Sequence, residues 1–193
     1  KKYKNVADMG ANLGLHSIVL NKCGYNVTSF ESDPVTFSKL KANIKLNKIK
    51  NIKLVNKAVY TNNKTVKFTR VFDNMFSSHI SSEKSSYGIK KEIIVKTVKT
   101  SELIKKFDLI KIDIEGSESK VIRSIVRKDF FSTDILVEIG TKKNAKEIFG
   151  FLKKNKIKSY SQKNNFKLVS NLKMMPISHN EGSLFISQNI NWF

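Results

Sequence analysis

Residues 5–17, N-V-A-D-M-G-A-N-L-G-L-H-S, constrain the fold of this chain more than any other stretch. Residues 5–9 are short and apolar and end near an acid, Asp8, as a buried parallel strand does at its functional end. Gly10, Asn12 and Gly14 follow at once, and then Leu15, Ile18 and Val19 recur at helical spacing. The order is therefore strand, tight turn, helix. Glycines in such a turn let the chain reverse sharply and let a ligand approach the backbone. The turn feeds a helix start, whose free N–H groups and dipole favour negative charge.

The spacing is not that of a dinucleotide turn. The G-x-G-x-x-G fingerprint sets its third glycine three residues after the second. Here the pattern is G-x-N-x-G, with Asp8 two residues ahead of Gly10. An acid at the strand end repels a phosphate and attracts an ammonium group. S-adenosylmethionine carries a methionine ammonium and no phosphate, so the functional reading is a turn for that molecule. An ordinary strand-to-helix turn with capping residues is the alternative that this stretch alone leaves open.

The rest of the chain repeats the alternation. Residues 26–31 form a second strand ending in Glu31, about 20 residues past the turn, where nucleotide-binding α/β folds place the acid that takes ribose hydroxyls. Ser32-Asp33-Pro34 starts a helix, with Asp33 as N-cap and Pro34 in the first helical position. Phe37, Leu40 and Ile44 line one face of it. Residues 51–57, 108–114 and 134–139 are further strands, and 183–187 is the last. An additional strand is expected over 158–161 or 166–169. Val121, Ile122, Ile125 and Val126 stripe one helix; Ala145, Ile148, Phe149 and Leu152 stripe another, and 100–106 is a short helix.

Between residues 58 and 99 the rhythm becomes β-like, with Val66 and Phe68 alternating and 93–98 apolar. The stretch 70–91, with Met75, Phe76, Ser77, Ser78, His79 and Tyr87, has no period; it is expected to be a partly mobile cover over the substrate side. Strands alternating with helices imply a parallel sheet covered on both faces. Ligands of such sheets sit beyond the carboxyl ends of the strands, at the switch point. Asp8, Glu31, Asp113, Glu115 and Glu138 all fall at predicted strand ends. With 16 Asp and Glu in all, five at one edge predict an acidic pocket.

That pocket would lie in a basic protein: 36 Lys and Arg give a net charge of +20. An anionic partner, such as nucleic acid or an anionic glycan, is one reading of the charge. Scattered lysines on solvated faces are the other, and their spread favours it. At 193 residues the chain is long enough for one domain with a real core. Its single Cys23 excludes an internal disulfide. No apolar run reaches the ~18 residues of a membrane span, and no signal peptide is visible. A cytoplasmic location is expected. The chain does not begin with Met and reaches its first strand within a few residues, so an N-terminal segment is expected to be missing.

Six pieces, taken together, resemble the FkbM family of class I S-adenosylmethionine-dependent methyltransferases. They are V-A-D-M-G-A-N-L-G-L-H-S, T-S-F-E-S-D-P, L-K-A-N-I-K-L-N, V-N-K-A-V, L-I-K-I-D-I-E-G-S-E and I-L-V-E-I, in the family's order over residues 6–139. The resemblance implies a Rossmann-like, doubly wound, seven-stranded, mostly parallel sheet with the last strand antiparallel. It implies O-methylation of a hydroxyl on a glycan, a lipid-linked sugar or a small metabolite. The alternative is a protein of the same fold whose main partner is nucleic acid. No N-P-P-Y tetrad follows the fourth strand, which argues against methylation of exocyclic base nitrogens.

Roles follow from the resemblance and the strand ends. Asp8 and Gly10 are expected to hold the methionine part of the cofactor, with Ala11, Asn12 and Gly14 completing the turn. Glu31 takes the ribose hydroxyls beside Ser32, and Ala58 packs near the adenine. Asp113 and Glu115 flank the methyl group, with Asp113 favoured as the base. Lys111 shares a face with Asp113 and is expected to form an ion pair with Asp113 or Glu138. His16 is read as a cap or packing residue. No His/Cys cluster has metal-ligand spacing, so no metal is expected; Mg²⁺ on Asp113 and Glu115 is the one arrangement the acids leave open.

Overall fold

The computed structural model describes residues 3–72, 78–83 and 88–188. Met75, Phe76, Ser77 and Tyr87 of the expected cover lie outside the described residues. The chain runs through β1 (Asn5–Met9), α1 (Leu15–Lys22), β2 (Asn26–Phe30), α2 (Pro34–Leu46) and β3 (Ile52–Val55). It continues through β4 (Ala58–Tyr60), β5 (Thr65–Val71), β6 (His79–Ile80), β7 (Lys90–Lys99) and α3 (Thr100–Leu103). Then follow β8 (Leu109–Ile112), α4 (Glu118–Arg123), β9 (Asp134–Glu138), α5 (Lys142–Lys154), β10 (Ser159–Ser161), β11 (Lys167–Leu168) and β12 (Ser183–Ile186).

Eight strands form the main sheet, in the order β3-β2-β1-β8-β9-β12-β10-β11. The pairs β3-β2, β2-β1, β1-β8 and β8-β9 are parallel, and β12 runs antiparallel to both β9 and β10. The antiparallel last strand agrees with expectation. The strand count differs by one, because Lys167–Leu168 pairs antiparallel with β10 at the sheet edge. Both stretches that the sequence offered as alternatives for this region are thus strands. The crossover reverses at β1, between β2 and β8, so the carboxyl ends of those three strands open the crevice where such sheets take ligands.

The central strands read as apolar runs because both of their faces are covered. Ile110, Ile112, Ile135 and Val137 are fully buried. Each such side chain is worth about 1.5–3 kcal/mol of burial. α2 begins as the sequence predicts, with the Asp33 side chain accepting from the Val35 and Thr36 amides and Pro34 at the start. α1 does not present the expected stripe. Leu15 and Val19 are exposed, and the buried residue of that helix is Ser17. A polar group on the sheet below explains this, as described next.

The strands β4, β5, β6 and β7, drawn from between residues 58 and 99, form a second sheet in the order β4-β7-β5-β6. β5 and β7 pair antiparallel over seven residues, from Thr65 with Lys96 to Val71 with Lys90. Part of the expected cover is therefore ordered strand: Arg70 and Val71 belong to β5, His79 and Ile80 to β6, and Lys90 and Lys91 to β7. Ala58, Phe68, Ile80 and Val95 form its own small core. No helix among the described residues is long and apolar enough to cross a membrane.

Candidate active site

The turn after β1 is held by backbone contacts that leave no room for side chains. The Gly10 and Ala11 amides both donate to the Phe30 carbonyl at the end of β2, at 3.0 and 2.9 Å. Gly10 has φ 83°, and a Cβ there would stand 1.7 Å from the Asp113 carbonyl oxygen. Glycine is thus required by the close approach of two strand ends. Gly14 precedes α1 with φ 91°, and a Cβ on it would meet Leu40 Cδ1 at 2.4 Å. Ala11 packs below the turn with Leu40 and Ile44.

A cleft opens above these ends, with about 680 Å³ of empty space that includes open solvent. Its floor and polar wall include Gly10, Asn12, Glu31, Ser32, Asp33, Asp113, Glu115 and Ser117; its apolar wall is Phe30, Ala58, Val59, Phe68 and Ile80. The second sheet thus supplies one side of the cleft through Ala58, Val59, Phe68 and Ile80, with Ser78 next to β6. Arg70 fixes that sheet to the main one by pairing, with both Nε and a terminal nitrogen, to the carboxylate of Asp33. Such bidentate, shielded pairs are the stronger kind.

Glu31 is almost fully buried. Its Oε2 accepts from the Asn12 amide at 2.9 Å and its Oε1 from the Asp33 amide at 2.8 Å. Burial pushes its carboxyl up to about 7, against the pull of those backbone donors. The Ser32 backbone also acts on this carboxylate, and its roughly four acceptor positions leave room for a further donor. Two more polar atoms, Asn12 Oδ1 and Ser117 Oγ, are buried on the walls of the cleft and make no hydrogen bond with the described residues. Unpaired buried polar atoms are costly, and a polar ligand in the cleft would relieve that cost. The cleft thus offers a ligand both apolar and polar lining.

Asp8 does not line this cleft. It is fully buried. Its Oδ2 accepts from Ser17 Oγ at 2.6 Å, and Ser17 in turn meets Ser29 Oγ at 2.7 Å. Its Oδ1 faces Lys111 Nζ at 3.4 Å. Lys111 also donates to Asp113 Oδ2 at 3.3 Å. The expected Lys111–Asp113 pair is present, while Glu138 instead meets His179 Nδ1 at 2.5 Å. Burial alone would lower the Lys111 ammonium; Asp8 and Asp113 outweigh it and raise it.

Of the ten candidate residues, Gly10, Asn12, Glu31, Ser32, Ala58, Asp113 and Glu115 come together around the cleft; Asp8, Ala11 and Gly14 stand beneath it. Among the five strand-end acids, Glu31, Asp113 and Glu115 reach the cleft, joined by Asp33, with Lys57 as the cation among the described lining residues. Glu118 was not anticipated. Its buried carboxylate accepts from the Ile114 and Gly116 amides at 3.2 and 3.0 Å and from Asn144 Nδ2 at 2.6 Å. Burial raises its carboxyl. It thereby shapes the loop that carries Glu115, whose φ is 54°. An acid just after a glycine at a helix start was the available signal. Among the described residues no group of three or more His, Cys, Asp or Glu is placed to hold a metal.

A sequence model described as "Methyltransferase FkbM domain" matches residues 8–168. No curated protein matches the chain significantly. Among solved structures, the chain is similar to precorrin-6y C5,15-methyltransferase from Geobacter metallireducens GS-15, at TM-score 0.52 and 13% identity, covering 96% of this chain and 79% of that one. It is also similar to ribosomal protein L11 methylase from Lactobacillus delbrueckii subsp. bulgaricus, at TM-score 0.50 and 16% identity, covering 98% and 72%. At these identities the likeness concerns the fold.

Proposed function

The chain belongs to the FkbM methyltransferase family, and from that premise we propose that it methylates a hydroxyl oxygen of a glycan, a lipid-linked sugar or a small metabolite. The observation that carries this reading is that Asp113 and Glu115, just beyond β8, both line the cleft, with Asp113 packed against the Gly10 turn. S-adenosylmethionine is the cofactor of such enzymes; when bound, it supplies a methyl group on a cationic sulfur, already activated for in-line displacement.

The residues of this chain divide the remaining work. Glu31 would accept the ribose hydroxyls on the lone pairs its backbone donors leave free. Asn12 Oδ1 and Ser117 Oγ would meet polar groups of the methionine part. Ala58 and its apolar neighbours would flank the adenine and exclude water. Asp8, being buried, would act through Lys111, which holds Asp113 by Oδ2. Asp113 Oδ1 is then the atom that takes the acceptor's proton. Holding the acceptor oxygen in line can supply about 7–11 kcal/mol of the barrier. A carboxylate in reach of the proton adds about 10²–10⁴-fold. Glu115 orients the acceptor. No metal enters this reading.

Binding of nucleic acid through the net charge finds less support. Lysine clustering beside the cleft would favour it, yet Lys57 is the one lysine among the described lining residues. A cytoplasmic setting, where the cofactor is made, completes the reading. The test is transfer of labelled methyl to hydroxylated acceptors, followed by alkali. An ether product keeps its label; loss of the label as methanol would mean a carboxyl ester and would overturn O-methylation of a hydroxyl.

A further inference from the structure

At the β3 edge of the main sheet, α2 covers one face: its Leu40 and Ile44 pack with Ile52 and Leu54. The opposite face carries Phe30 and Val55, which pack with Val98, Leu103 and Phe107. Parallel strands are ordinarily joined by a crossover helix that would cover such a face. Here the chain between β3 and β8 runs instead through the second sheet and the four-residue α3. A groove is left, with about 1360 Å³ of empty space that includes open solvent, and it presents more apolar than polar surface. We propose that this groove binds a single-chain anionic amphiphile of the fatty-acid class. Its acyl chain would lie along β2 and β3, with its carboxylate at their amino ends. The proposal goes beyond the methyltransferase reading and stands without it.

The lining is graded along the strands. In the β2–β3 register Thr28 stands beside Lys53 and Phe30 beside Val55, and residues two apart in a strand share a face. The floor therefore passes from a polar pair to an apolar one. Asn5 and Asn26, which start β1 and β2, and Asn51, just before β3, extend the polar end. Lys106 belongs to the same end: it stands two residues before Asp108, whose amide donates to the Asn5 carbonyl at 2.8 Å. Charge points the same way. Lys53, Lys57 and Lys106 are the charged residues of the described lining, with no acid beside them. Among the described residues none of the three is paired with a carboxylate. The acids nearby in sequence are engaged elsewhere: Glu102 accepts from Asn63 Nδ2 at 2.8 Å, and Asp108 Oδ2 from the Lys4 and Asn5 amides at 2.8 Å. An acyl chain would bury itself on Phe30, Val55, Val98 and Leu103. Lysine stems would cover it while their ammonium groups meet the carboxylate. A nucleic acid would leave the apolar floor unused, and a second copy would bring a further charge of +20 against it.

The test is calorimetry on the full chain with dodecanoate, dodecyltrimethylammonium and acetate, each below the concentration at which micelles form. Dodecanoate should bind at one site, at least tenfold tighter than either of the others. Thr28→Phe, which fills the floor, and the pair Lys53→Glu with Lys106→Glu should each weaken dodecanoate at least tenfold. Both lysines are exposed, so that pair decides the matter should Thr28→Phe not fold. The pair Lys142→Glu with Lys143→Glu, on α5 and outside the groove, changes the net charge equally and should leave dodecanoate affinity unaltered. No binding of dodecanoate overturns the proposal, as do equal binding of the cationic chain, an equal loss in the α5 pair, and unaltered affinity in the groove variants. Dimerisation in sedimentation that the groove lysine pair abolishes, without binding of dodecanoate, would make the groove an interface between copies. Flotation with phosphatidylglycerol vesicles, again without binding of free dodecanoate, would make it a membrane contact. Either outcome overturns the proposal.

Discussion

Lys111 Nζ lies 3.3 Å from Asp113 Oδ2, joining a residue of the central sheet to a carboxylate on the cleft wall. The same ammonium faces the buried Asp8. Polar groups therefore run without interruption from Ser29 through Ser17, Asp8 and Lys111 to Asp113. Replacing Lys111 by Met would leave Asp8 charged in the core with Ser17 as its remaining donor. Removing one partner of a buried pair costs about 3–5 kcal/mol. Urea unfolding of Lys111→Met should show a loss of that order, and a loss under ~1 kcal/mol would remove the ion pair from any structural role.

Asp113→Asn should keep the fold and bind S-adenosylhomocysteine, while single-turnover methyl transfer falls at least ~10²-fold. If Asp113 served only the helix that follows, the melting temperature would drop and turnover per folded molecule would persist. Both measurements belong on one preparation.

Glu31→Ala removes a buried acceptor of charge-assisted bonds. A loss of about 1.5–3 kcal/mol in affinity for S-adenosylhomocysteine is expected, roughly ten- to 150-fold. Calorimetry on a variant shown to be folded decides it, and undiminished affinity sinks the assignment. Added EDTA should leave the wild-type affinity as it was.

The same carboxyl makes two opposite pH predictions. Burial raises it from the ordinary 4.5 of a glutamate to about 7 in the folded state. The folded state then binds more protons than the unfolded state between those limits. Its contribution to stability is full below about 4.5 and is lost as pH rises through 7. Wild type should thus lose stability relative to Glu31→Gln over that window, by an amount on the order of 3 kcal/mol at most. Hydroxyl donors from a ribose favour the ionised form, so affinity for S-adenosylhomocysteine should rise from pH 6 to 8. A flat affinity profile would falsify the ribose contact.

Gly10→Ala should be severe. The new Cβ would overlap the Asp113 carbonyl oxygen, and the backbone there has φ 83°. A destabilisation of at least ~4 kcal/mol, or failure to fold, is expected. Gly24→Ala is the control: it shares a positive φ, but a Cβ would meet nothing within 4 Å. Its cost should be the smaller one of backbone strain, about 1–3 kcal/mol.

Much of this was legible in the chain. The turn after β1, the acid after β2 and the N-cap at Asp33 all depend on neighbours within a few residues. Local pattern therefore encodes them. Asp8 was legible as an important acid but not as a buried one, because its partners come from α1 and β8. The helix stripe in α1 misled for the same reason: Ser17 faces Asp8, so Leu15 and Val19 turn outward. The second sheet was half seen. β5 and β7 alternate over several residues, whereas β6 is two residues long and exists through its pairing with β5. Glu118 stands near a glycine at a helix start, a local signal, but its bond to Asn144 of α5 comes from a distant stretch and is not written in that pattern.

Asp33 Oδ1 accepts from the Val35 and Thr36 amides and from Arg70 as well. The first turn of α2 and the attachment of the second sheet therefore share one oxygen atom. Swinging that sheet away from the cleft also redistributes charge at the start of the helix. One substitution, Arg70→Ala, would therefore release the second sheet and leave that oxygen to the two helix amides alone.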